Sequence, residues 1–270
     1  MKTKLIAVSL FTVFTLTIGC KNTKKETIKE QTEITTETES EENKESIRVE
    51  IEALKKQPGQ TAADISEVEK KVSEIRDRFL KAVEAEGYVH PYKPEVAVVF
   101  TPSLMSFNGD DKEGFLIAPT WGLAPEGMKK MMDSWMEQTK SHFTGEEFFK
   151  KNFNWFLVPH ELGHFIQGTQ KVKDINYNDL WAGELYANKV AVAFWLQQGM
   201  EKELKKFVTE TTKVMKLLGS PAPEGADEKK FFNENYQMLG QDPTKYGYYQ
   251  FLLYKEAYDQ RVNLKKIVQN

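Results

Sequence analysis

The chain has 270 residues, and its 37 Lys and Arg and 40 Asp and Glu give a formal net charge of -3 at pH 7. It contains no basic patch with interleaved aromatic residues, so nucleic acid is not an expected partner. A single cysteine excludes an intrachain disulfide, and the fold must therefore rely on its hydrophobic core.

The first twenty residues have the features of an export signal. Lys2 and Lys4 flank the start of an apolar run, residues 5–18, which is too short to span a bilayer comfortably and is soon followed by Cys20. This segment resembles a bacterial lipoprotein signal. The resemblance implies that residues 1–19 are removed and that Cys20 is acylated. The protein would then be anchored to a bacterial membrane of the cell envelope, which we expect to be the outer membrane, with its domain in the periplasm or at the cell surface. A plain signal peptide with an incidental cysteine is the alternative.

Residues 20–60 differ in composition from the rest of the chain. They are rich in Lys, Glu and Thr and contain no aromatic residue. Such a segment buries too little apolar surface to offset the entropy of ordering. We therefore predict a disordered tether, followed by one domain over residues 61–270 that is long enough for a sizeable core.

The first part of this domain is predicted to mix helices and strands. Apolar spacing predicts, in chain order, a helix at 64–86, short buried strands at 95–100 and 114–118 with a turn at 108–111 between them, and a helix at 126–142. The second part is predicted to be helical, with segments at 148–167, 178–198, 202–218, 227–239 and 246–268. We expect an α+β fold in which a small sheet precedes a mostly helical half.

The segment at 148–167 contains a proline, and its end is marked by a glycine. Pro159 lacks an N–H, and its ring crowds the carbonyl four residues back. Either a helix therefore begins afresh at Pro159 or a longer helix kinks there. Gly168 is a plausible stop for the segment.

The most informative motif is HELGH at residues 160–164. Residues four apart lie on the same face of a helix, so both imidazoles can reach one metal ion, with Glu161 beside them. Glu184, in the next predicted helix, is well placed to be a third ligand. Two His and one Glu form a known ligand set of catalytic zinc, which leaves one position for water. Asn188, one turn after Glu184, could hold the far nitrogen of a ligating histidine.

This arrangement resembles the signature of the gluzincin zinc metallopeptidases, in which HExxH is followed after about nineteen residues by a glutamate and then by Asp or Asn. The resemblance implies a zincin-like fold. Carried over residue by residue, it implies one Zn²⁺ held by His160, His164 and Glu184, with Glu161 as general base and Asn188 orienting a ligand. The implied reaction is hydrolysis of peptide bonds in a peptide or protein substrate by a zinc-activated water.

The resemblance also implies a downstream donor for the developing oxyanion, because related families often use a Tyr or His there. Tyr246, Tyr248 and Tyr249 lie in that region, and Tyr248 and Tyr249 are favoured. Each could instead be a core residue that opens an apolar helix.

Other interpretations stay open. A metzincin-type site fits poorly, because its glycine and third histidine would fall at Gln167 and Gln170. An aspartate ligand at Asp179 has less helical support. The substrate could be another amide or an ester, since a site that activates water does not by itself determine which acyl compound is hydrolysed. The protein could also be a non-catalytic zinc-binding surface lipoprotein, although a structural zinc site has little use for a base such as Glu161. The sequence leaves the oligomeric state open.

Overall fold

The structure is a computed structural model. The residues that it describes are 49, 60–99, 104–110, 112–170 and 179–269. The predicted signal segment, Cys20 and nearly all of the predicted tether lie outside the described residues. Among the helices described, none has the length and apolar character needed to cross a membrane.

A small three-stranded sheet precedes the helical part of the domain. Its strands are β1, Glu95–Val98, β2, Ser106–Gly109, and β3, Gly114–Ala118. The central strand β3 pairs in parallel with β1 and antiparallel with β2, so the order is β1-β3-β2. The two predicted strands are confirmed as β1 and β3.

The turn predicted at 108–111 is wrong in its first half. Asn108 and Gly109 belong to β2, where they pair with Phe115 and Gly114 of β3. The two backbones approach closely here, because a Cβ on Gly109 would lie 2.6 Å from the Cα of Gly114. The glycine that suggests a turn is therefore needed for a close strand pair.

The remaining elements are helices. They are α1, Gln60–Ala85, a 3-10 turn, Trp121–Leu123, α2, Glu126–Gln138, α3, Gly145–Lys151, α4, Leu157–Gln170, α5, Leu180–Gln197, α6, Glu201–Leu218, α7, Glu228–Gly240, α8, Pro243–Gln260, and α9, Leu264–Val268. The described part of the chain is mostly helical with a small sheet, which agrees with the expected α+β class. The single helix predicted over 246–268 is wrong, because α8 ends at Gln260, the next residue, Arg261, has a φ of +43°, and α9 begins separately at Leu264.

Two apolar clusters hold the helices together. In the larger one the apolar side of α1 packs against β1 and α4. The buried apolar residues of α1 are Ile65, Val68, Val72, Ile75, Phe79, Leu80 and Val83. Each such side chain contributes about 1.5–3 kcal/mol on burial. The smaller cluster joins α5 to α7 and α8 through Trp181, Phe232, Leu239, Tyr249 and Leu253. It fixes α7 beside the start of α5.

Residues 145–170 are helical without a break, and Pro159 is the third residue of α4. A π-helical turn, Asn152–Phe156, joins α3 to α4, and the N–H of Leu157 donates to the carbonyl of Asn152, five residues back. The carbonyl that the proline ring would crowd belongs to Trp155, within this wider turn. No helix therefore begins afresh at Pro159. The expected stop at Gly168 is also wrong, because α4 continues to Gln170.

Helices α4 and α5 pack closely at Gly163, the glycine of the HELGH motif. A Cβ at this position would lie 2.9 Å from the Cα of Ala187 and 3.3 Å from the Cβ of Val190. The missing side chain therefore lets the helix that carries the two histidines approach the helix that carries Glu184.

We expect Gly163→Ala to lower the free energy of unfolding by about 1–3 kcal/mol, because the added methyl group meets the α5 backbone. Gly168→Ala is the matched control on the same helix. Gly168 is exposed and a Cβ there meets nothing within 4 Å, so its replacement should be neutral or stabilising by up to about 1 kcal/mol. Denaturant unfolding followed by circular dichroism measures both. Equal stability of the two variants would contradict the close packing.

Candidate metal centre

Two neighbouring helices bring together the three predicted metal ligands. His160 and His164 lie one turn apart on α4, and Glu184 lies on α5. One ligand atom from each residue can be chosen so that all three lie within 4.8 Å of one another. His160 and Glu184 are buried, whereas His164 is partly exposed, so the group is reached from the His164 side.

The spacing of the ligand atoms is that of a coordination shell. The two Nε2 atoms of His160 and His164 are 3.2 Å apart. Glu184 places Oε2 3.4 Å from His160 Nε2 and Oε1 3.8 Å from His164 Nε2. Bonds of about 2.0–2.1 Å in a tetrahedral arrangement separate neighbouring ligand atoms by about 3.3 Å. These three residues could hold a metal ion.

Hydrogen bonds on the far side of each ring determine which nitrogen faces the group. His160 Nδ1 lies 2.9 Å from Asn188 Oδ1, and His164 Nδ1 lies 2.6 Å from Gln167 Oε1. An amide oxygen only accepts hydrogen bonds, so each Nδ1 must carry the proton. In a neutral ring the opposite nitrogen, Nε2, then presents its lone pair.

Three electron-rich atoms therefore converge on one point, and only a positive species between them makes this arrangement favourable. Burial by itself would raise the pKa of Glu184, but the hydrogen bond from His160 and the positive charges of His164 and His160, present when these rings are protonated, bring that pKa down to about 2. When the rings are neutral, the hydrogen bonds that Glu184 accepts from Tyr236 and Gln250 still favour its ionised form. The group has the charge and the lone pairs that a divalent cation needs.

Glu161 lies beside this group and is held by the sheet. Its Oε1 is 3.9 Å from His160 Nε2, and its Oε2 accepts a hydrogen bond of 2.9 Å from the backbone N–H of Phe107 in β2. Burial raises the pKa of Glu161 to about 7, and the nearby Glu184 carboxylate also raises it, whereas His164 and the Phe107 N–H lower it. A carboxylate with such a pKa can accept and release a proton near neutral pH.

On the other side, Glu184 belongs to a ring of hydrogen bonds. Tyr236 donates its hydroxyl to Glu184 Oε1 at 3.2 Å, and the Tyr236 and Tyr246 hydroxyls are 3.4 Å apart. Gln250 Nε2 donates to the Tyr246 hydroxyl at 2.8 Å and to Glu184 Oε2 at 3.1 Å. Burial and the Glu184 charge raise the pKa of both tyrosines. Both hydroxyls thus keep their protons and remain donors.

The structure does not bring Tyr248 and Tyr249 to the metal group. Their hydroxyls donate instead to the two carboxylate oxygens of Glu228, at 3.3 and 2.7 Å. Tyr249 is fully buried in the smaller apolar cluster. The expected preference for these two tyrosines as oxyanion donors is therefore corrected, because α7 places Tyr236 nearer to the site.

Asp179 is not placed as a ligand either. It is the N-cap of α5, where Oδ1 accepts hydrogen bonds from the Ala182 N–H and from Asn233 Nδ2, and its other oxygen pairs with Lys229. Its carboxylate binds the start of α5 to α7, which carries Tyr236.

Three residues that contact the metal group are not predicted from the sequence, namely Gln167, Tyr236 and Gln250. Gln167 lies one turn after His164, so a search for amides at helical spacing from the motif would find it. Tyr236 and Gln250 are 52 and 66 residues from Glu184. No local pattern distinguishes them, because their positions depend on how α7 and α8 pack.

Comparisons with protein-family models, curated proteins and solved structures give no match to this chain. The function of the protein is therefore inferred from the chemistry of its own residues.

We expect Zn²⁺, Co²⁺ or Ni²⁺ to raise the thermal unfolding midpoint of the metal-free chain, because an ion that binds only the folded state stabilises it by mass action. His164→Ala and Glu184→Ala each remove a ligand and should abolish most of this increase. The exposed His142 is the matched control, and His142→Ala should keep the full increase. Differential scanning fluorimetry and elemental analysis after dialysis measure the effect.

The same increase should disappear as the pH falls below about 6, because imidazoles must be neutral to bind a metal ion. Below about pH 6 the protonated histidines hold the pKa of Glu184 at about 2. Its carboxylate therefore stays ionised over this range, and the loss of metal binding reflects protonation of the histidines. Full metal occupancy in His164→Ala, or binding unchanged at acid pH, would contradict the ligand assignment.

Proposed function

We propose that the protein is a zinc-dependent metallopeptidase of the gluzincin type. The observation that carries this proposal is the convergence of His160 Nε2, His164 Nε2 and the Glu184 carboxylate at tetrahedral spacing, with the Glu161 carboxylate beside them. A purely structural zinc site usually has four protein ligands and no adjacent base. Here the fourth residue is a base.

Zinc is the ion that this donor set fits best. Two imidazole nitrogens and one carboxylate oxygen are a ligand set of catalytic zinc, and they leave one position to water or substrate. When bound, zinc polarises the scissile carbonyl and lowers the pKa of the attacking water toward 7. The ring orientations that this requires come from Asn188 and Gln167.

Glu161 would be the general base and then the general acid. It accepts one proton from the attacking water, whose oxygen forms the new bond to the carbonyl carbon. It then delivers that proton to the amide nitrogen as the carbon–nitrogen bond breaks. The products are a carboxylic acid and an amine, and no redox partner is needed. The pKa of Glu161, raised to about 7 by burial, supports both steps near neutral pH.

The position of β2 favours a polypeptide substrate over a small amide or ester. Among the described residues β2 pairs on one side only, with β3. The register directs the backbone groups of Ser106 and Asn108 toward β3 and those of Phe107 and Gly109 outward. The Phe107 N–H donates to Glu161, so the Phe107 carbonyl and the Gly109 backbone groups remain for a peptide. An extended peptide can add to such an edge by backbone hydrogen bonds. A small ester has no backbone to offer.

The order of elements supports a zincin-like fold. A small sheet precedes α4 with the histidines, α5 with the glutamate follows, and the remaining described chain is helical. From residues 1–20 of the sequence we also propose that Cys20 is acylated and anchors the domain to a bacterial membrane, which we expect to be the outer membrane. The domain would then lie in the periplasm or at the cell surface.

Glu161→Gln should remove hydrolysis and leave zinc binding in place, because the amide has nearly the shape of the carboxylate but cannot take the water proton. We expect turnover of a fluorogenic peptide library to fall about 10²–10⁴-fold. Glu137→Gln, an exposed acid on α2, is the control and should cleave like the parent chain. Cleavage by Glu161→Gln at the parent rate would contradict the role of Glu161 as general base. Zinc-loaded protein that cleaves esters but no peptide would contradict the proposal of a polypeptide substrate.

Tyr236→Phe should lower turnover about 10²–10³-fold with little change in KM, if the Tyr236 hydroxyl stabilises the developing oxyanion. This tyrosine qualifies because it stays protonated beside the metal group, and its one proton would turn from Glu184 Oε1 to the oxyanion. Tyr248→Phe is the matched control, because its hydroxyl binds Glu228, and it should be close to unchanged. If the two variants show equal turnover, Tyr236 has no such role.

A further inference from the structure

Gln167 is a buried amide that contacts both helices of the metal centre. It lies three residues after His164 on α4 and is 7% exposed. Its Oε1 is 2.6 Å from His164 Nδ1, and its Nε2 donates to the backbone carbonyl of Gly183 at 3.1 Å. Gly183 directly precedes the ligand Glu184 on α5.

The contact with Gly183 fixes which way the amide points. A backbone carbonyl only accepts, so the NH₂ group must face Gly183 and the oxygen must face His164. The oxygen in turn requires the proton of His164 to lie on Nδ1. Gln167 thus keeps the Nε2 lone pair of His164 directed at the metal group.

The orientation of the His164 ring depends on its hydrogen bond to Gln167 more than that of the His160 ring depends on its hydrogen bond to Asn188. The His160 side chain is 3% exposed, whereas that of His164 is 29% exposed. Packing therefore constrains the His164 ring less, and a hydrogen bond must supply more of its orientation. The same amide ties that ring to the α5 backbone next to Glu184, so two of the three ligands share one positioning group.

We propose that Gln167 is a positioning residue that sets the tautomer of His164 and couples it to Glu184, and that zinc affinity depends on this coupling. The inference rests on the metal centre of the proposed function and not on its hydrolytic activity. Partners of this kind change metal affinity by about 10–100-fold.

The test uses the full chain labelled with ¹⁵N-histidine, free of metal and above about pH 8, where imidazoles are neutral. Long-range ¹H–¹⁵N spectra show which ring nitrogen carries the proton. Only four histidines are present, so substitution of each one assigns the signals. In the parent chain His164 should be protonated on Nδ1. In Gln167→Met, which has a similar length but no acceptor oxygen, the proton should move at least partly to Nε2.

Two further variants separate positioning from general damage. Gln167→Glu keeps an acceptor for the Nδ1 proton and should keep the parent tautomer. Asn188→Leu should change the His160 signals and leave those of His164 unchanged. Zinc affinity, measured by competition with a chromophoric chelator, should fall about 10–100-fold in Gln167→Met.

An Nδ1-protonated His164 in Gln167→Met, or zinc affinity equal to that of the parent chain, would overturn the proposal. Loss of the Nδ1 tautomer in Gln167→Glu would also overturn it, because that variant retains the acceptor and remains informative if Gln167→Met does not fold. These readouts do not involve catalysis. A chain that binds zinc in this way but cleaves no peptide would therefore refute the proposed activity and leave the role of Gln167 intact.

Discussion

The close approach of α4 and α5 at Gly163 is the contact on which the metal centre depends. The two histidines come from one helix and Glu184 from the other, and ligand atoms must lie within a few ångströms of each other to share an ion. Ordinary helix pairs are separated by 8–10 Å according to the side chains between them. A glycine against Ala187 keeps this separation small. The HELGH motif therefore carries its own packing requirement, because Gly163, directly before His164, is the residue that permits the approach.

Such an approach places several ionisable groups in a poorly solvated space, which is costly unless each group is paired. Each imidazole has an amide oxygen for Nδ1, and the Glu184 carboxylate accepts from Tyr236 and Gln250. The lone pairs of the two Nε2 atoms and of Glu184 face each other in the middle, where no protein cation lies between them among the contacts described. The surrounding hydrogen bonds thus fix the side chains in the arrangement that a cation would complete, which reduces the reorganisation needed on binding.

The sequence predicts the parts of this arrangement that depend on helical spacing. His160 with His164, and Glu184 with Asn188, are each four residues apart, so one periodicity places each pair on a face. Apolar spacing predicts α1, β1 and β3 in the same way, but it gives the bounds only of β3, since α1 begins four residues before the predicted start and β1 ends at Val98. Strand β2 is missed because its Asn-Gly pair has turn chemistry, and its pairing with β3 is a tertiary contact that overrides that preference. Tyr236 is missed for a related reason, since its position follows from Asn233 and Lys229 binding Asp179 at the start of α5.

The two halves of the fold hold different chemical groups of the proposed mechanism. The sheet holds the base, because the N–H of Phe107 in β2 binds one oxygen of Glu161. The helical half holds the hydroxyl donors, because α7 and α8 carry Tyr236 and Tyr246 to the Glu184 side. His164 is the partly exposed member of the group that could hold a metal ion. A peptide paired with the outer edge of β2 would therefore present its carbonyl to the centre with the base already fixed by the strand that binds the substrate. In the proposed mechanism, substrate binding and proton transfer would share one structural element, which is why that proposal favours an extended backbone as the substrate.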